Sequence, residues 1–510
     1  MTDIFDCDVL IIGGGINGVG IARDAAGRGL KTCLCEKGDL AGATSSASTK
    51  LVHGGLRYLE NYEFGLVRAS LQEREVLMAA APHIIYPLQF ILPHSPGVRP
   101  YWLIRLGLFI YDHLGGREKL PASGALNLKG SAYGRPLDAG FAKATSYYDC
   151  WVDDARLTVL NAMDAAEQGA DIRTRTEVVR ATPLPEGGGW ELVLRDQLDG
   201  GLHKKTARMV VNAAGPWASH CLDNVIDDMR PQATRLVRGS HIVVPKLFDH
   251  DSAYIFQNPD KRIVFAIPYE KHFTLIGTTD EDFKGNLDKV EASEAELDYI
   301  CQTANRFFAS QISRADIVWS YAGVRPLLGG GAEAKKVSRD YQLNVQRTAS
   351  GALALSVLGG KITTYRKLAE KAVSRICQLL EAPRPVWTAR VPLPGGDIEQ
   401  ADRKGFIAEM AKAYDFLPAD LLERLALAYG SRLPEMLGKA RSLADLGAEL
   451  CPHLTEKEAS YLMDREWALS AEDILWRRTK LGLHASAADV TRLEGWMAAR
   501  RAAPHQTAAG

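Results

Sequence analysis

Residues 9–12, Val9-Leu10-Ile11-Ile12, form an unbroken apolar run, the pattern of a strand buried on both faces. A glycine-rich segment, 13–20, follows and reads as a turn. Residues 21–28 then read as helix and residues 31–36 as a second strand. Strand, helix and strand in that order make a β-α-β unit with parallel strands, the start of a doubly wound α/β domain.

Later segments change character. Residues 74–81 read as helix, and proline-interrupted loops run on to Pro136. A third buried strand, 209–212, ends at the small residues Ala213, Ala214 and Gly215. The alternation in 263–267 and 274–277 predicts an antiparallel sheet between residues 242 and 279. Residues 353–358 form another strand, closed by Gly359 and Gly360 before a helix over 364–380. Beyond Pro383, Pro385, Pro392 and Pro394 the chain becomes rich in Ala, Leu, Glu and Arg. That shift marks a separate all-α domain. Three pairs, Thr455/Glu458, Ser470/Asp473 and Ser486/Asp489, are placed to cap helices there, and residues 502–510 read as a frayed tail.

Composition narrows the functional classes. Of 510 residues 46% are hydrophobic, which suits a globular protein of two or three domains. Lys plus Arg number 61 against 62 Asp plus Glu, so no global basic field would hold nucleic acid. Eight scattered cysteines form no C-x-x-C pair, which argues for a reducing cytoplasm and against a zinc site; no metal is expected. Asp3, Asp6 and Asp8 precede the first apolar run, unlike the basic start of a secretory leader. The apolar stretch 101–111 contains Arg105 and falls far short of the roughly 20 residues that cross a bilayer.

The glycine turn carries the first chemistry. Gly13-x-Gly15-x-x-Gly18 lies between strand and helix, and Glu36 closes the next strand 18 residues after Gly18. Such glycines admit a pyrophosphate to the positive end of a helix, while the carboxylate accepts hydrogen bonds from a ribose and disfavours a 2′-phosphate. FAD is preferred to NAD because the fingerprint opens the chain and because Thr44, Ser45, Ser48, Thr49 and Lys50 offer hydroxyls and a cation to a long cofactor. A solvated polar loop is the alternative for that stretch. Downstream, His53-Gly54-Gly55-Leu56-Arg57-Tyr58 sets a histidine and an arginine beside two glycines. Histidine takes a proton near neutral pH, and arginine offers a planar fork to phosphate or carboxylate; a hydrogen-bonded structural histidine beside an arginine on a surface turn is the alternative, and the better one for this stretch taken alone. Arg325, Arg339 and Lys361 sit in loops or at element ends, where each could instead be a surface cation or pair with an acid.

Together the stretches I-I-G-G-G-I-N-G, T-S-S-A-S-T-K-L-V-H-G-G-L-R-Y-L-E, N-A-A-G-P-W, G-V-R-P-L, G-G-K-I-T-T-Y-R and A-E-D-I-L-W-R-R-T-K-L-G-L resemble the FAD-dependent glycerol-3-phosphate dehydrogenases over nearly the whole chain. The resemblance implies oxidation of sn-glycerol 3-phosphate to dihydroxyacetone phosphate, with electrons leaving for a membrane quinone. It implies a Rossmann-type FAD-binding domain from residues 1–80, 145–235 and 320–385, an antiparallel-sheet substrate domain from 81–144 and 236–319, and a helical domain over 390–510. By the same implication Gly13, Gly15, Asn17, Gly18, Glu36, Lys37, Thr44, Ser45, Ser48, Thr49, Lys50, Leu51, Val178, Ala213, Ala214, Gly215, Gly360, Ile362 and Thr363 hold FAD. Arg57, Tyr58, Arg325, Arg339 and Lys361 then line the substrate pocket, with His53 as candidate base and Lys361 as an alternative partner for reduced flavin. Between Thr279 and Trp319 there is no obvious insertion of the kind carried by the oxygen-dependent oxidases of the family.

Quinone as acceptor implies access to a bilayer. On a helix over 101–111, Arg105 and Asp112 share a face and the remainder is apolar and aromatic, flanked by Arg99, Arg117 and Lys119. The expectation is peripheral attachment to the cytoplasmic side of the membrane, as a homodimer, with an internal helix as the alternative. Two further readings remain: an amine or amino-acid oxidase of similar design, and a flavin-bearing scaffold without activity.

Overall fold

The computed structural model describes residues 5–94, 99–116, 119–185, 188–260, 262–328 and 341–502. They divide into two compact units, one of 1–80 with 85–391 and one of 81–84 with 392–510.

In the first unit, helix α1 spans Ile16–Gly27 between the parallel strands Cys7–Ile12 and Thr32–Cys35. Strand Leu202–Asn212 pairs parallel on the other side of Cys7–Ile12, and Leu353–Leu358 pairs parallel beyond it. The helix starts earlier than the glycine-rich turn suggested, so Gly18 and Gly20 are helical. The reason is close packing: a Cβ at Gly18 would run into the Gly13 carbonyl oxygen, and one at Gly20 would meet the Tyr365 ring.

A second sheet in the same unit is mainly antiparallel. Strand Thr234–Pro245 pairs antiparallel with both Phe273–Gly277 and Trp319–Leu328, as the alternation over 242–279 anticipated. Helix Glu294–Phe307 packs on this sheet, its Phe307 stacking on Phe256 with centroids 4.2 Å apart. Helix α2 spans Phe64–Ala80, ten residues longer at its start than residues 74–81 indicated. Helix α3 spans Tyr101–Leu114 and α4 spans Asp154–Glu167.

The second unit is helical apart from a two-stranded ladder, Glu449–Cys451 with Leu454–Thr455. All three anticipated caps form: Thr455 accepts from the Glu458 amide, and Ser470 with Asp473 and Ser486 with Asp489 bond reciprocally. The tail lies outside the described residues beyond Ala502.

Candidate active site

The glycine turn is shaped by the segment beneath it. Gly13 has φ of +111°, and a Cβ there would sit 2.7 Å from the Ala213 carbonyl oxygen. Ala213, Ala214 and Gly215 therefore lie against the turn, with open space beside the Cα of Gly215. Gly15 is the N-cap of α1 and supplies no capping side chain; the Ser45 hydroxyl accepts from the Ile16 amide at 2.9 Å instead. The Glu36 carboxylate accepts from Gly14 N at 2.6 Å and Gly38 N at 2.7 Å. Burial raises its pKa, and those two amide bonds offset the rise only in part. Val178 is buried with Cys33 and Cys35 near the end of that strand. Lys37 forms an exposed ion pair with Asp288 at 2.6 Å and lies over the Trp217 ring, so its charge serves the surface.

Most hydroxyls of the polar loop, and its cation, have partners inside the protein. Thr44 Oγ1 donates to Val324 O at 2.7 Å, Ser48 Oγ donates to Asp154 at 2.7 Å, and Thr49 Oγ1 lies 3.0 Å from His241 Nε2. Lys50, 0% exposed, donates to Asp154 at 2.8 Å and to Ser46 O at 3.0 Å. A buried ammonium needs such a carboxylate, and through this pair Lys50 braces the loop. Leu51 then enters a short strand opposite Trp151.

Beyond that strand the substrate candidates gather. His53 N donates to Thr363 Oγ1 at 3.2 Å, which joins the 53–58 turn to the segment after Gly360. Asn17 Nδ2 donates to Gly359 O at 3.4 Å, while its buried Oδ1 has no partner among the described residues. Gly360 has φ of +99° and a Cβ there would lie 3.1 Å from the Asn17 amide, so the chain passes close to α1. Lys361 then sets its ammonium 3.8 Å from the centroid of the Tyr58 ring, and Ile362 starts a short 3-10 turn. Gly55, at φ +77°, carries the backbone around that ring.

Arg325 lies on strand Trp319–Leu328, half-exposed and 3.2 Å from Asp280. Its neighbours on the strand grip the hydroxyl-rich loop: Thr44 bonds Val324, and Tyr321 donates to Ser48 O at 2.8 Å. The structure thus brings together His53, Tyr58, Lys361, Thr363 and Asn17, and places Arg325 beside the loop leading to them. Arg339 and the side chain of Arg57 lie outside the described residues.

Sequence reasoning passed over His241. Its ring is buried, stacks on Tyr321 with centroids 4.9 Å apart, and leaves Nδ1 without a partner among the described residues. Burial, with Lys50 and Arg325 nearby, pushes its pKa down to about 3 and keeps it neutral. A lone histidine at an inward position of the apolar strand Thr234–Pro245 was the available signal.

A family model described as FAD dependent oxidoreductase matches residues 8–366, and one described as the C-terminal domain of alpha-glycerophosphate oxidase matches 386–499. The chain is 50% identical to a glycerol-3-phosphate dehydrogenase of Pseudomonas aeruginosa, over 98% of this chain and 96% of that one. It is 49% identical to a D-erythritol 1-phosphate dehydrogenase of Brucella abortus, over 97% and 98% of the two. Among solved structures, the glycerol-3-phosphate dehydrogenase of Bacillus halodurans complexed with FAD aligns with a TM-score of 0.75 and 28% identity, over 98% of this chain and 95% of that one.

Proposed function

Because this chain belongs to the FAD dependent oxidoreductase family, we propose that it oxidises sn-glycerol 3-phosphate at C2 to dihydroxyacetone phosphate and delivers the electrons to a membrane quinone. The observation that carries the proposal is the Lys361 ammonium over Tyr58, one residue past Gly360 and joined through Thr363 to the His53 turn. A cation in that place suits an anionic substrate lying beside the cofactor.

FAD fits the residues present. The glycine turn at the N-terminus of α1, the open side of Gly215 and the buried Asn17 Oδ1, which has no partner among the described residues, offer a cradle of backbone amides and one acceptor. Gly13, Gly15, Gly18 and Glu36 would hold the nucleotide half, and Gly360, Ile362 and Thr363 the flavin half. Bound there, FAD supplies a two-electron acceptor for the C2 hydride.

The side chains do the rest. Arg325 and Lys361, with Arg57 and Arg339, would hold the phosphate dianion and so fix the orientation of C2. His53 would take the hydroxyl proton, a step for which the buried and neutral His241 is unsuited. A four-carbon polyol phosphate is the second reading, favoured by the equally similar D-erythritol 1-phosphate dehydrogenase. Anaerobic mixing tests both: glycerol 3-phosphate is expected to bleach the flavin at lower concentration than D-erythritol 1-phosphate. Bleaching by neither would end the reading. In Arg325→Ala, steady-state KM should rise by about 100-fold, the loss of a charge-assisted hydrogen bond of roughly 3 kcal/mol, with FAD content unchanged. A normal KM would remove Arg325 from the site.

We further propose peripheral attachment through α3. No helix among the described residues is long and apolar enough to cross a membrane. Helix α3 instead exposes Trp102, Leu103, Leu106 and Phe109 while burying Leu108 and Tyr111, with Arg99 and Lys119 nearby in sequence. An outward apolar face flanked by cations suits the interface of an anionic bilayer. Replacing Trp102 and Phe109 by Glu should lower binding to anionic vesicles more than about tenfold, since each side chain buried there contributes roughly 1.5–3 kcal/mol. Unchanged cosedimentation would exclude α3 as the anchor.

A further inference from the structure

Between α3 and the candidate substrate turn lies a buried carboxylate that the reaction itself does not use. Asp149, 2% exposed, stands on strand Lys143–Val152. Its Oδ1 accepts from the backbone amide of Gly54 at 3.3 Å, one residue after His53 and four before Tyr58. The same carboxylate accepts from Arg74 of α2 at 2.8 Å and, through both oxygens, from the hydroxyl of Tyr111 at 2.8 Å. Tyr111 belongs to α3 and is one of the two residues which that helix buries. Burial, reinforced by the carboxylate, raises the phenol pKa, so the hydroxyl stays protonated and is the donor.

The packing leaves this arrangement little slack. A Cβ at Gly54 would lie 2.5 Å from the Tyr111 hydroxyl and would also run into Leu71, and a Cβ at Gly115, just past α3, would run into Leu71 as well. Leu71 of α2 is thus wedged between the substrate turn and the end of α3. Close packing and these hydrogen bonds thus link Tyr111 of α3 to the carboxylate that holds Gly54.

We propose that Asp149 is a positioning residue for the His53–Tyr58 turn and that, through Tyr111, it couples this turn to the exposed helix α3. Seating α3 on a lipid surface then alters the affinity for the polyol phosphate. The inference rests on the peripheral attachment proposed above, and its partner is an anionic bilayer surface. The coupling runs both ways, since linkage makes any effect of the surface on substrate affinity equal to the effect of substrate on surface affinity.

The test uses holoenzyme with vesicles of phosphatidylcholine and phosphatidylglycerol. Cosedimentation and the glycerol 3-phosphate KM are measured on wild type, Tyr111→Phe and Asp149→Asn. In wild type, vesicle binding should shift KM by about fivefold or more, the lower range of site-to-site coupling. Tyr111→Phe removes one oxygen from a packed ring. It should bind vesicles as wild type does while its KM shift falls below about twofold. Asp149→Asn should raise KM with FAD content retained. Should that variant fail to fold, Tyr111→Phe alone decides. A wild-type KM that stays constant on bound vesicles, or a Tyr111→Phe response equal to wild type, overturns the coupling and leaves the attachment standing. Wild type that does not sediment with vesicles overturns both.

Discussion

Lys50→Met is expected to destabilise the first unit by about 3–5 kcal/mol and to release its FAD. The substitution keeps the length of the side chain and the non-glycine φ of 60° at this position, so backbone strain is unchanged. What it removes is the counterion of Asp154, whose side chain is 0% exposed. The abandoned carboxylate keeps its bonds from the Ser48 amide and hydroxyl and from the Ala155 amide, which are too few to hold a full charge in an apolar interior. The double variant Lys50→Met/Asp154→Asn should recover most of the loss, because a neutral amide no longer needs the cation. Denaturant unfolding, followed by flavin fluorescence, reads both quantities; wild-type stability in Lys50→Met would show that the pair holds nothing together.

His241 sets the second large effect, in acid. Its folded pKa of about 3 lies below the unfolded value of 6.5, chiefly because burial disfavours the imidazolium, with Lys50 and Arg325 adding to the effect. Below pH 6.5 the unfolded chain therefore binds a proton that the folded protein refuses. Stability present above pH 6.5 is lost as pH falls, by about 1.4 kcal/mol per unit, until the folded pKa is reached. His241→Gln keeps a polar group beside Thr49 and should remove this slope. Between pH 6.5 and 5 the wild type should lose about 2 kcal/mol more than the variant in urea unfolding. Parallel pH profiles for the two proteins would mean that His241 is not held neutral.

These two residues also show where the sequence was readable. The opening β-α-β unit and the caps at Thr455, Ser470 and Ser486 depend on residues within a few positions of one another, and local pattern revealed them. The extent of α1 did not come through in the same way. Gly18 and Gly20 look like turn residues until Tyr365, which meets Gly20, is seen. The internal partners of the hydroxyl-rich loop were beyond the reach of local pattern, because Asp154, Val324 and His241 lie 106, 280 and 192 residues from the residues they bond. The cations told least: an arginine's surroundings decide whether it meets a substrate or an acid such as Asp280, and nothing adjacent to Arg325 in the chain announces that acid.

The bonds that join the beginning of the chain to its residues 321–363 bear on when the protein can be completed. Ser48 waits for Tyr321, Thr44 for Val324 and His53 for Thr363, separations of 273, 280 and 310 residues. When residues 44–53 have been synthesised, their partners at 321–363 are still untranslated. Contacts this distant form after most of the chain has emerged. A polypeptide halted before residue 321 would therefore lack the partners of Ser48, Thr44 and His53 altogether.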